Sequence, residues 1–291
     1  MSEELKYLNL MRNILSNGVK RIDRTNTGTL SLFGQSFRLD VSNNFPLLTT
    51  KRVYWRGVVE ELLFFISGKT DTTELEKKNV NIWKGNTSRE FLDNRKLFNY
   101  KEGEYGPNYG YNWRSFGKQY IPLNERNNLE DYNDGIDQLD EAIKLIKNDP
   151  FSRRILVSAW NPKVLNEIPL PSCHYCYQFY VNEDKLSILV NMRSCDIFLG
   201  LPFNIASYSL LLYMIAHITN KKPYEVVFML GDAHIYLNHI DQCNEQLSRD
   251  IRDLPTLSFN RIITNIDDFK YEDIKLENYN PHSSIKAEMA I

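Results

Sequence analysis

The stretch over residues 204–218 constrains the fold most, because it is the longest apolar segment with helical character. A helix that is apolar on nearly every side must be covered by protein on nearly every side. No apolar run in the chain approaches the roughly 20 residues that a membrane-spanning helix needs. We therefore expect this segment to be the central helix of a buried core.

The rest of the chain mixes helices and strands without a regular alternation of the two. Periodicity and end signals predict further helices over Glu4–Asn17, 53–66, 136–146 and 234–247. They predict strands over 30–41 (with a bulge at Gly34), 154–160 and 226–230, and a hairpin of 175–181 and 186–192. Residues 86–133 are polar and the most loop-like. This pattern predicts one α+β domain over residues 1–291.

Composition narrows the class of protein. The 291 residues can bury a substantial core, and 35 basic against 37 acidic residues argue against a general nucleic-acid or membrane surface. The start of the chain lacks the features of a signal peptide, so we expect a cytoplasmic protein. We expect the four cysteines to be free thiols in a reducing compartment.

Cys173 is the candidate nucleophile. It follows Pro169 and Pro171 and directly precedes a predicted strand. A nucleophilic thiol needs a nearby cation to favour its thiolate, which Arg153, Arg154 and Arg193 could supply, although an isolated arginine pair is usually a solvated surface. His174 faces the other way if it lies in the strand, so we expect a structural role for it rather than that of a base.

Cys176 lies three residues after Cys173, a spacing that suggests a metal or redox pair. In a strand an odd separation points the two thiols to opposite faces. No second cysteine pair or nearby histidine pair completes a zinc site. We therefore expect no metal here.

The segment Arg193-Ser194-Cys195-Asp196 suits a phosphate, with the arginine as a charged fork and the serine as a donor. Asn204 follows, and its amide could recognise a ring that offers an N–H donor beside a C=O acceptor, as uracil does. It could equally be the N-cap of the following helix, and both roles can hold at once.

Other polar positions leave more than one interpretation. Glu61 sits in an apolar run, where a buried carboxylate has a raised pKa and can relay protons, but a surface role is about equally consistent. Trp83 could belong to the core or form a stacking wall. His234 and Tyr236 are two residues apart at a predicted helix start and could share a sugar hydroxyl. Arg24 lies in a polar loop that lacks the pattern of a P-loop.

Taken together, these motifs resemble those of the folate-dependent thymidylate synthase family over nearly the whole chain. The matching segments are Phe45-Pro46-Leu47-Leu48-Thr49-Thr50-Lys51, Pro171-Ser172-Cys173-His174, Arg193-Ser194-Cys195-Asp196, Leu199-Gly200-Leu201-Pro202-Phe203-Asn204-Ile205-Ala206-Ser207-Tyr208 and Gly231-Asp232-Ala233-His234-Ile235-Tyr236. Their length makes chance agreement negligible.

The resemblance implies that dUMP and 5,10-methylenetetrahydrofolate give dTMP and dihydrofolate, without a metal, flavin or nicotinamide. It implies a large mixed sheet packed by helices, with the sheet forming the interface of a homodimer. Cys173 would attack C6 of uracil, Glu61 would organise water for proton transfer, and Tyr109 would assist at C5. Asn204, Asp196 and Arg193 would complete the catalytic set.

The resemblance also implies two sets of binding residues. On the dUMP side are Arg24, Arg193 and Ser194 for the phosphate, Arg153 and Arg154 from the other subunit, Asp196, Asn204 for the base, and His234 and Tyr236 for the ribose. On the folate side are Ile82, Trp83, Asn86, Asp196, Leu199, Gly200, Phe203 and Met289, and the tail is expected to close over both ligands.

One residue departs from the family pattern, and two rival functions remain. The family usually has Gln before the Arg-Ser pair, where this chain has Met192, so we expect a tuned rate or affinity rather than a dead enzyme. The first rival is a deoxyuridylate hydroxymethylase, which Trp83 disfavours because a bulky aromatic shields the intermediate from water. The second is a catalytically silent RNA-binding homologue, which the near-neutral charge disfavours.

Overall fold

The computed structural model describes residues 2–22, 27–126 and 134–288, and a six-stranded mixed sheet is its largest element. The strands are β1 (Val19–Arg21), β2 (Thr29–Asp40), β3 (Leu156–Ser158), β4 (His174–Asn182), β5 (Lys185–Asp196) and β6 (Lys222–Tyr236), in the order β1-β2-β6-β5-β4-β3. Only β5 and β6 run parallel; the other neighbours are antiparallel. A separate antiparallel pair joins β7 (Thr256–Phe259) to β8 (Ile274–Glu277).

Helices pack on one face of this sheet. They are α1 (Glu4–Asn17), α2 (Trp55–Ile66), α3 (Thr73–Glu76), α4 (Arg89–Asn94), α5 (Tyr109–Arg114), α6 (Gln138–Asn148), α7 (Gly200–Ile218) and α8 (Ile240–Leu247). The helix α7 connects β5 to β6, which is how two parallel neighbours are joined. The predicted α+β class with a large mixed sheet packed by helices is therefore confirmed.

The central helix is confirmed but is longer than predicted. It begins at Gly200, so the alternative interpretation of Asn204 as an N-cap is wrong, and that residue lies in the second turn. Its residues are buried on nearly every side, including Leu210, Leu211 and Leu212. By length and composition its 19 residues could cross a membrane, but 78% of its most apolar window is buried in the fold, as in the core helix of a globular protein.

The strand predicted over 226–230 is the clearest local error. It extends over Lys222–Tyr236 and continues through Gly231, where the sequence suggested an end. A Cβ on Gly231 would lie 2.8 Å from the carbonyl oxygen of Arg193, so the glycine permits a close approach of two strands. His234 and Tyr236 consequently end a strand, and the helix predicted from residue 234 begins at Ile240.

Smaller differences concern ends and irregularities. The helix α1 has the predicted bounds, whereas α2 begins two residues late, at Trp55. The register between β2 and β6 is the same on both sides of Gly34, so no residue of β2 is inserted there relative to β6. The predicted loop over 86–133 contains α4 and α5, and its residues 127–133 lie outside the described residues.

The opposite face of the sheet exposes large apolar side chains. Pairing registers put Leu156, Tyr180 and Met229 on this face, with 43%, 67% and 43% of their surface exposed. Phe33 and Trp160 line an open cleft of about 510 Å³ on the same side. Contiguous exposed apolar surface of this kind marks an interaction site in soluble proteins.

Glu4 joins the first helix to the segment that precedes α2. Its carboxylate is buried and accepts four hydrogen bonds of 2.6–2.8 Å, from the backbone N–H and the hydroxyl of both Thr49 and Thr50. Such bonds to a charged acceptor are among the stronger ones in proteins.

Replacing this carboxylate by an amide should destabilise the protein strongly. In Glu4→Gln the NH₂ group meets two donors, so we expect a loss on the order of 3 kcal/mol in the free energy of unfolding, measured by urea denaturation. The matched control is Glu3→Gln, whose carboxylate is more exposed and serves Lys6 and the N–H of Asp40. Equal losses in the two variants would contradict the importance of the buried carboxylate.

Candidate active site

Cys173 lies directly before β4, and its backbone is fixed on two sides. Its N–H donates to the hydroxyl of Tyr109 over 2.7 Å, and its carbonyl accepts from the N–H of Arg193 over 2.9 Å. The first contact comes from the start of α5 and the second from β5. Two elements that are distant in sequence therefore hold the half-buried thiol in place.

The guanidinium of Arg193 lies against this thiol. Its Nη2 is 3.8 Å from the Sγ of Cys173 and donates to the carbonyl of Pro171 over 2.7 Å, while Nε donates to the carbonyl of Ser172 over 2.9 Å. The proline-containing segment thus anchors the cation beside the sulfur. A cation at this distance favours the thiolate.

His174 has a structural environment. Its Nδ1 lies 2.6 Å from the hydroxyl of Tyr208, and its ring stacks on Tyr109 with centroids 4.0 Å apart. Burial lowers the pKa of His174 to about 3, so the ring is neutral at physiological pH. Strand β4 also shifts register between His174 and Cys176, so successive side chains do not simply alternate between the two faces of the sheet there. All four cysteines are free thiols, so Cys173 and Cys176 form no disulfide.

Glu61 projects from α2 towards Trp83. The indole N–H donates to its carboxylate over 2.8 Å, and burial raises the pKa of Glu61 to about 7. The neighbouring Glu60 is instead ion-paired with Lys78 over 2.6 Å. The raised pKa lets Glu61 exchange a proton near neutrality.

Aromatic rings connect Glu61 to the thiol. Trp83 packs against Tyr109 with centroids 6.1 Å apart, and Tyr109 holds the N–H of Cys173. Phe65 stacks on Tyr109 at 5.0 Å and lies 6.3 Å from Trp83. Neither Phe65 nor Tyr208 was predicted as a site residue, because aromatic residues in apolar helices carry no distinguishing signal.

Asp196 shapes the turn between β5 and α7. Its Oδ1 accepts the N–H of Phe198 over 2.9 Å and that of Leu199 over 3.2 Å. A methyl group on Gly200 would lie 3.5 Å from the Cβ of Asp196 and 4.0 Å from the Oδ1 of Asn204. The side chains of Asp196 and Asn204 therefore flank this glycine.

Lys51 supports this turn from below and was missed by sequence analysis. It is buried, donates to the carbonyl of Phe198, and lies 3.5 Å above the ring of the same residue. Burial lowers the pKa of Lys51 to about 8, against the attraction of Asp196. Its place in the motif Thr49-Thr50-Lys51 was the available signal.

His234 and Tyr236 lie at the end of β6, and their rings are 5.2 Å apart. In the sheet register His234 pairs with Asp196, and Ser194 pairs with Asp232. Burial opposes a charge on the imidazole, but the bond to Asp232 (3.3 Å) and the charge of Asp196 outweigh it and raise the pKa of His234. These contacts bring the predicted ribose and phosphate residues to one edge.

Asp232 is itself held by two side chains. Ser31 donates to it over 2.6 Å, and Arg21 forms an ion pair with it over 2.9 Å. Neither residue was predicted from the sequence, because their proximity to Asp232 depends on the pairing of β1 with β2 and of β2 with β6. This support orients the imidazole that β6 presents.

Two of the predicted folate residues contact one face of α2, at positions four residues apart. Trp83 contacts Glu61, and the ring of Phe203 lies 3.1 Å from where a Cβ on Gly57 would be. Asn86 is buried, and further partly buried apolar side chains pack on the core beside these residues: Ile82 and Leu199. The helix therefore brings the turn around Trp83 close to the start of α7.

The remaining predicted residues are not drawn into this arrangement. Arg153 and Arg154 are exposed just before the edge strand β3. Arg24 and Met289 lie outside the described residues. Within residues 2–22, 27–126 and 134–288, no group of three or more metal-binding side chains occurs.

Comparison with known proteins gives consistent matches. The family profile described as thymidylate synthase matches residues 5–291. Human thymidylate synthase is 52% identical over 289 residues, covering 99% of this chain and 91% of that protein. Thymidylate synthase of Herpesvirus ateles is 51% identical, covering 99% and 98%. A bifunctional dihydrofolate reductase-thymidylate synthase of Zea mays is 49% identical, covering 99% of this chain and 55% of that protein. The chain belongs to the thymidylate synthase family.

Proposed function

We propose that this site converts dUMP to dTMP with 5,10-methylenetetrahydrofolate as donor of both the carbon and the hydride. The observation that carries the proposal is the contact between the guanidinium of Arg193 and the thiol of Cys173, whose backbone is fixed by Tyr109. It supplies an activated nucleophile beside a cation that also suits a phosphate.

The first step is attack by the Cys173 thiolate on C6 of uracil. The bond that forms between Sγ and C6 moves an electron pair to C5 and the C4 oxygen, which creates an enolate. Asn204 holds the base through its amide, and Ser194 with Arg193 holds the phosphate together with Arg24. His234 and Tyr236 bind the ribose at the end of β6, and Asp196 lies between the base and folate residues.

C5 then attacks the methylene carbon of the folate, whose bond to the folate N10 breaks, and the proton on C5 must leave before the bond to N5 breaks in turn. Glu61 fits this proton transfer because burial raises its pKa to about 7, and Tyr109 assists at C5. Elimination of tetrahydrofolate leaves an exocyclic methylene group. Hydride transfer from tetrahydrofolate to this group expels Cys173 and yields dTMP and dihydrofolate.

The folate residues have the chemistry that a pterin needs. Ile82, Trp83, Leu199 and Phe203 provide apolar and aromatic walls, and Asn86, Gly200, Asp196 and Met289 complete the set. Trp83 excludes water from the methylene intermediate, which favours hydride transfer over hydroxymethylation. Product analysis tests this point: dihydrofolate supports the synthase, and hydroxymethyl product with tetrahydrofolate would contradict it.

We also propose that the exposed face of the sheet forms the interface of a homodimer. Leu156, Tyr180 and Met229 give that face its apolar surface. Arg153 and Arg154 lie exposed at the sheet edge and would reach the phosphate of the other subunit. In this view the enzyme is one domain over residues 1–291 and acts in the cytoplasm.

Mixing two inactive variants tests the shared site. We expect Cys173→Ala and the double variant Arg153→Ala/Arg154→Ala each to be severely impaired alone. After the mixed chains are unfolded and refolded together, half of the random dimers contain one of each and have one complete site, so about a quarter of the wild-type activity should return. Each variant refolded alone is the control. A mixture that remains inactive would show that the arginines act within their own subunit.

A further inference from the structure

His239 is a buried side chain that the proposed mechanism does not use. It lies in the turn Leu237–His239, directly after β6, and has no exposed surface. Its Nε2 is 2.7 Å from the carbonyl oxygen of Glu288, in the C-terminal tail. The ring therefore joins the end of the ribose strand to a residue adjacent to Met289.

The hydrogen bond fixes the protonation of this ring. A carbonyl oxygen can only accept, so Nε2 must carry the hydrogen. Nδ1 is buried without a hydrogen-bond partner among the described residues. An apolar ring would fill the same space without leaving a polar atom unsatisfied. Burying Nδ1 without a hydrogen bond destabilises the fold. A histidine at this position is therefore explained if the bond from Nε2 to the tail has a role of its own.

The ring also contacts both halves of the active site. Its centroid lies 5.5 Å from that of Phe198, in the turn shaped by Asp196, and 5.6 Å from that of Tyr236. A shift of the imidazole would therefore displace both Phe198, in the turn that precedes α7, and Tyr236, at the end of β6.

The tail is attached to the protein at two separated places. Near its base the N–H of His282 donates to the carbonyl of Thr49 over 2.8 Å, and Arg249 donates to the carbonyl of Ser283 over 2.6 Å. Residues 284–287 form no hydrogen bond within the described ranges, although Ile285 and Ala287 pack on the core. The next hydrogen bond is the one from His239 to Glu288.

We propose that His239 is a positioning residue that fixes the C-terminal tail against the folate side of the site. The inference rests on the proposed function, since it assigns the tail to the folate site. The imidazole acts through the carbonyl of Glu288 and touches neither substrate. Loss of its Nε2 donor should weaken folate binding more than it slows the chemical steps or weakens dUMP binding.

Two variants that replace the imidazole of His239 by an amide test the contribution of the Nε2 donor. In His239→Gln the amide nitrogen can reach the position of Nε2, whereas in His239→Asn it reaches only the position of Nδ1. Carboxypeptidase degrades only a detached chain end, so the rate at which it trims the C-terminus of the ligand-free protein reports the attachment of the tail. We expect the Asn variant to be trimmed about three- to tenfold faster than wild type, the factor of one ordinary hydrogen bond, and the Gln variant to match wild type.

Steady-state kinetics test the consequence for catalysis. We expect the KM for methylenetetrahydrofolate to rise about three- to tenfold in the Asn variant, with little change in kcat or in the Kd for dUMP, and to recover in the Gln variant. If the Asn variant does not fold, His239→Phe keeps the ring packing and removes the donor. Equal trimming rates and equal KM in the Asn and Gln variants would overturn the proposal, and so would faster trimming with an unchanged KM. Failure of the proposed function would appear separately, as no dTMP from the wild type.

Discussion

Replacing Cys173 by alanine should reduce dTMP formation by at least about 10⁴-fold, because the nucleophile of a covalent mechanism has no substitute. The backbone contacts of Cys173 to Tyr109 and Arg193 do not involve the side chain, so the site should keep its shape. We therefore expect dUMP to bind with a similar Kd while turnover is lost. Dihydrofolate formation measures turnover, and calorimetry measures binding.

Cys176→Ala is the matched control for this experiment. Cys176 is also a half-buried free thiol, three residues further along the chain, but it lies within β4. We expect its kcat to stay within a few-fold of wild type. Release of tritium from C5 of labelled dUMP adds a second measurement, since this step needs the Cys173 adduct. Tritium release by Cys173→Ala at the wild-type rate would refute the assignment of the nucleophile.

Replacing Glu61 by glutamine should lower kcat by about 10²- to 10⁴-fold, the usual contribution of a positioned acid or base. The amide oxygen of glutamine can still accept from the indole of Trp83, so the packing of α2 should persist. The wild-type dependence of kcat on pH should contain an ionisation near pH 7, where the pKa of Glu61 lies, and the variant should lack it.

The same variant should be more stable than wild type at high pH. The folded-state pKa of Glu61 is about 7, above its ordinary value of 4.5, so the native protein holds this proton more tightly than the unfolded chain does. The stability of wild type therefore falls as the pH rises from 4.5 through 7. Above pH 7 we expect Glu61→Gln to gain on the order of 2 kcal/mol, and the gain should vanish below pH 4.5.

Glu60→Gln is the control variant, and we expect it to change the free energy of unfolding in the opposite direction. Glu60 is adjacent and buried, but its carboxylate pairs with Lys78, so its replacement should destabilise the protein and leave kcat nearly unchanged. Urea denaturation at several pH values distinguishes the two variants. If Glu61→Gln is no more stable than wild type at pH 8, the folded protein does not disfavour the ionised form of the Glu61 carboxylate.

Much of the nucleophile's surroundings follows from local sequence. The predicted hairpin over 175–181 and 186–192 is confirmed as β4 and β5, and its register pairs His174 with Met192. The register shift between His174 and Cys176 then brings Cys173 beside Arg193, and the sequence did not predict that shift. Met192, where the family usually has Gln, is buried in this register and leaves the contact in place.

The positions of His234 and Tyr236, the predicted ribose residues, do not follow from local sequence. Gly231-Asp232 has the local signature of a turn, yet β6 continues because β2 and β5 supply hydrogen-bond partners on both of its sides. His234 and Tyr236 therefore end a strand. Similarly, the start of α7 is set by the Asp196 turn, which places Gly200 at the beginning of the helix and Asn204 inside it.

The sequence by itself determined the class of fold, the central helix, the hairpin that carries Cys173 and the family to which the chain belongs. These depend on periodicity and on long motifs, which are local properties of a chain. Only the tertiary structure decided that Glu61 contacts Trp83 and has a raised pKa while Glu60 pairs with Lys78, and that Lys51 and His239 both contact Phe198. Burial and hydrogen-bond partners are set by residues far apart in sequence, and no local pattern records which of two adjacent carboxylates will meet an indole and which a lysine.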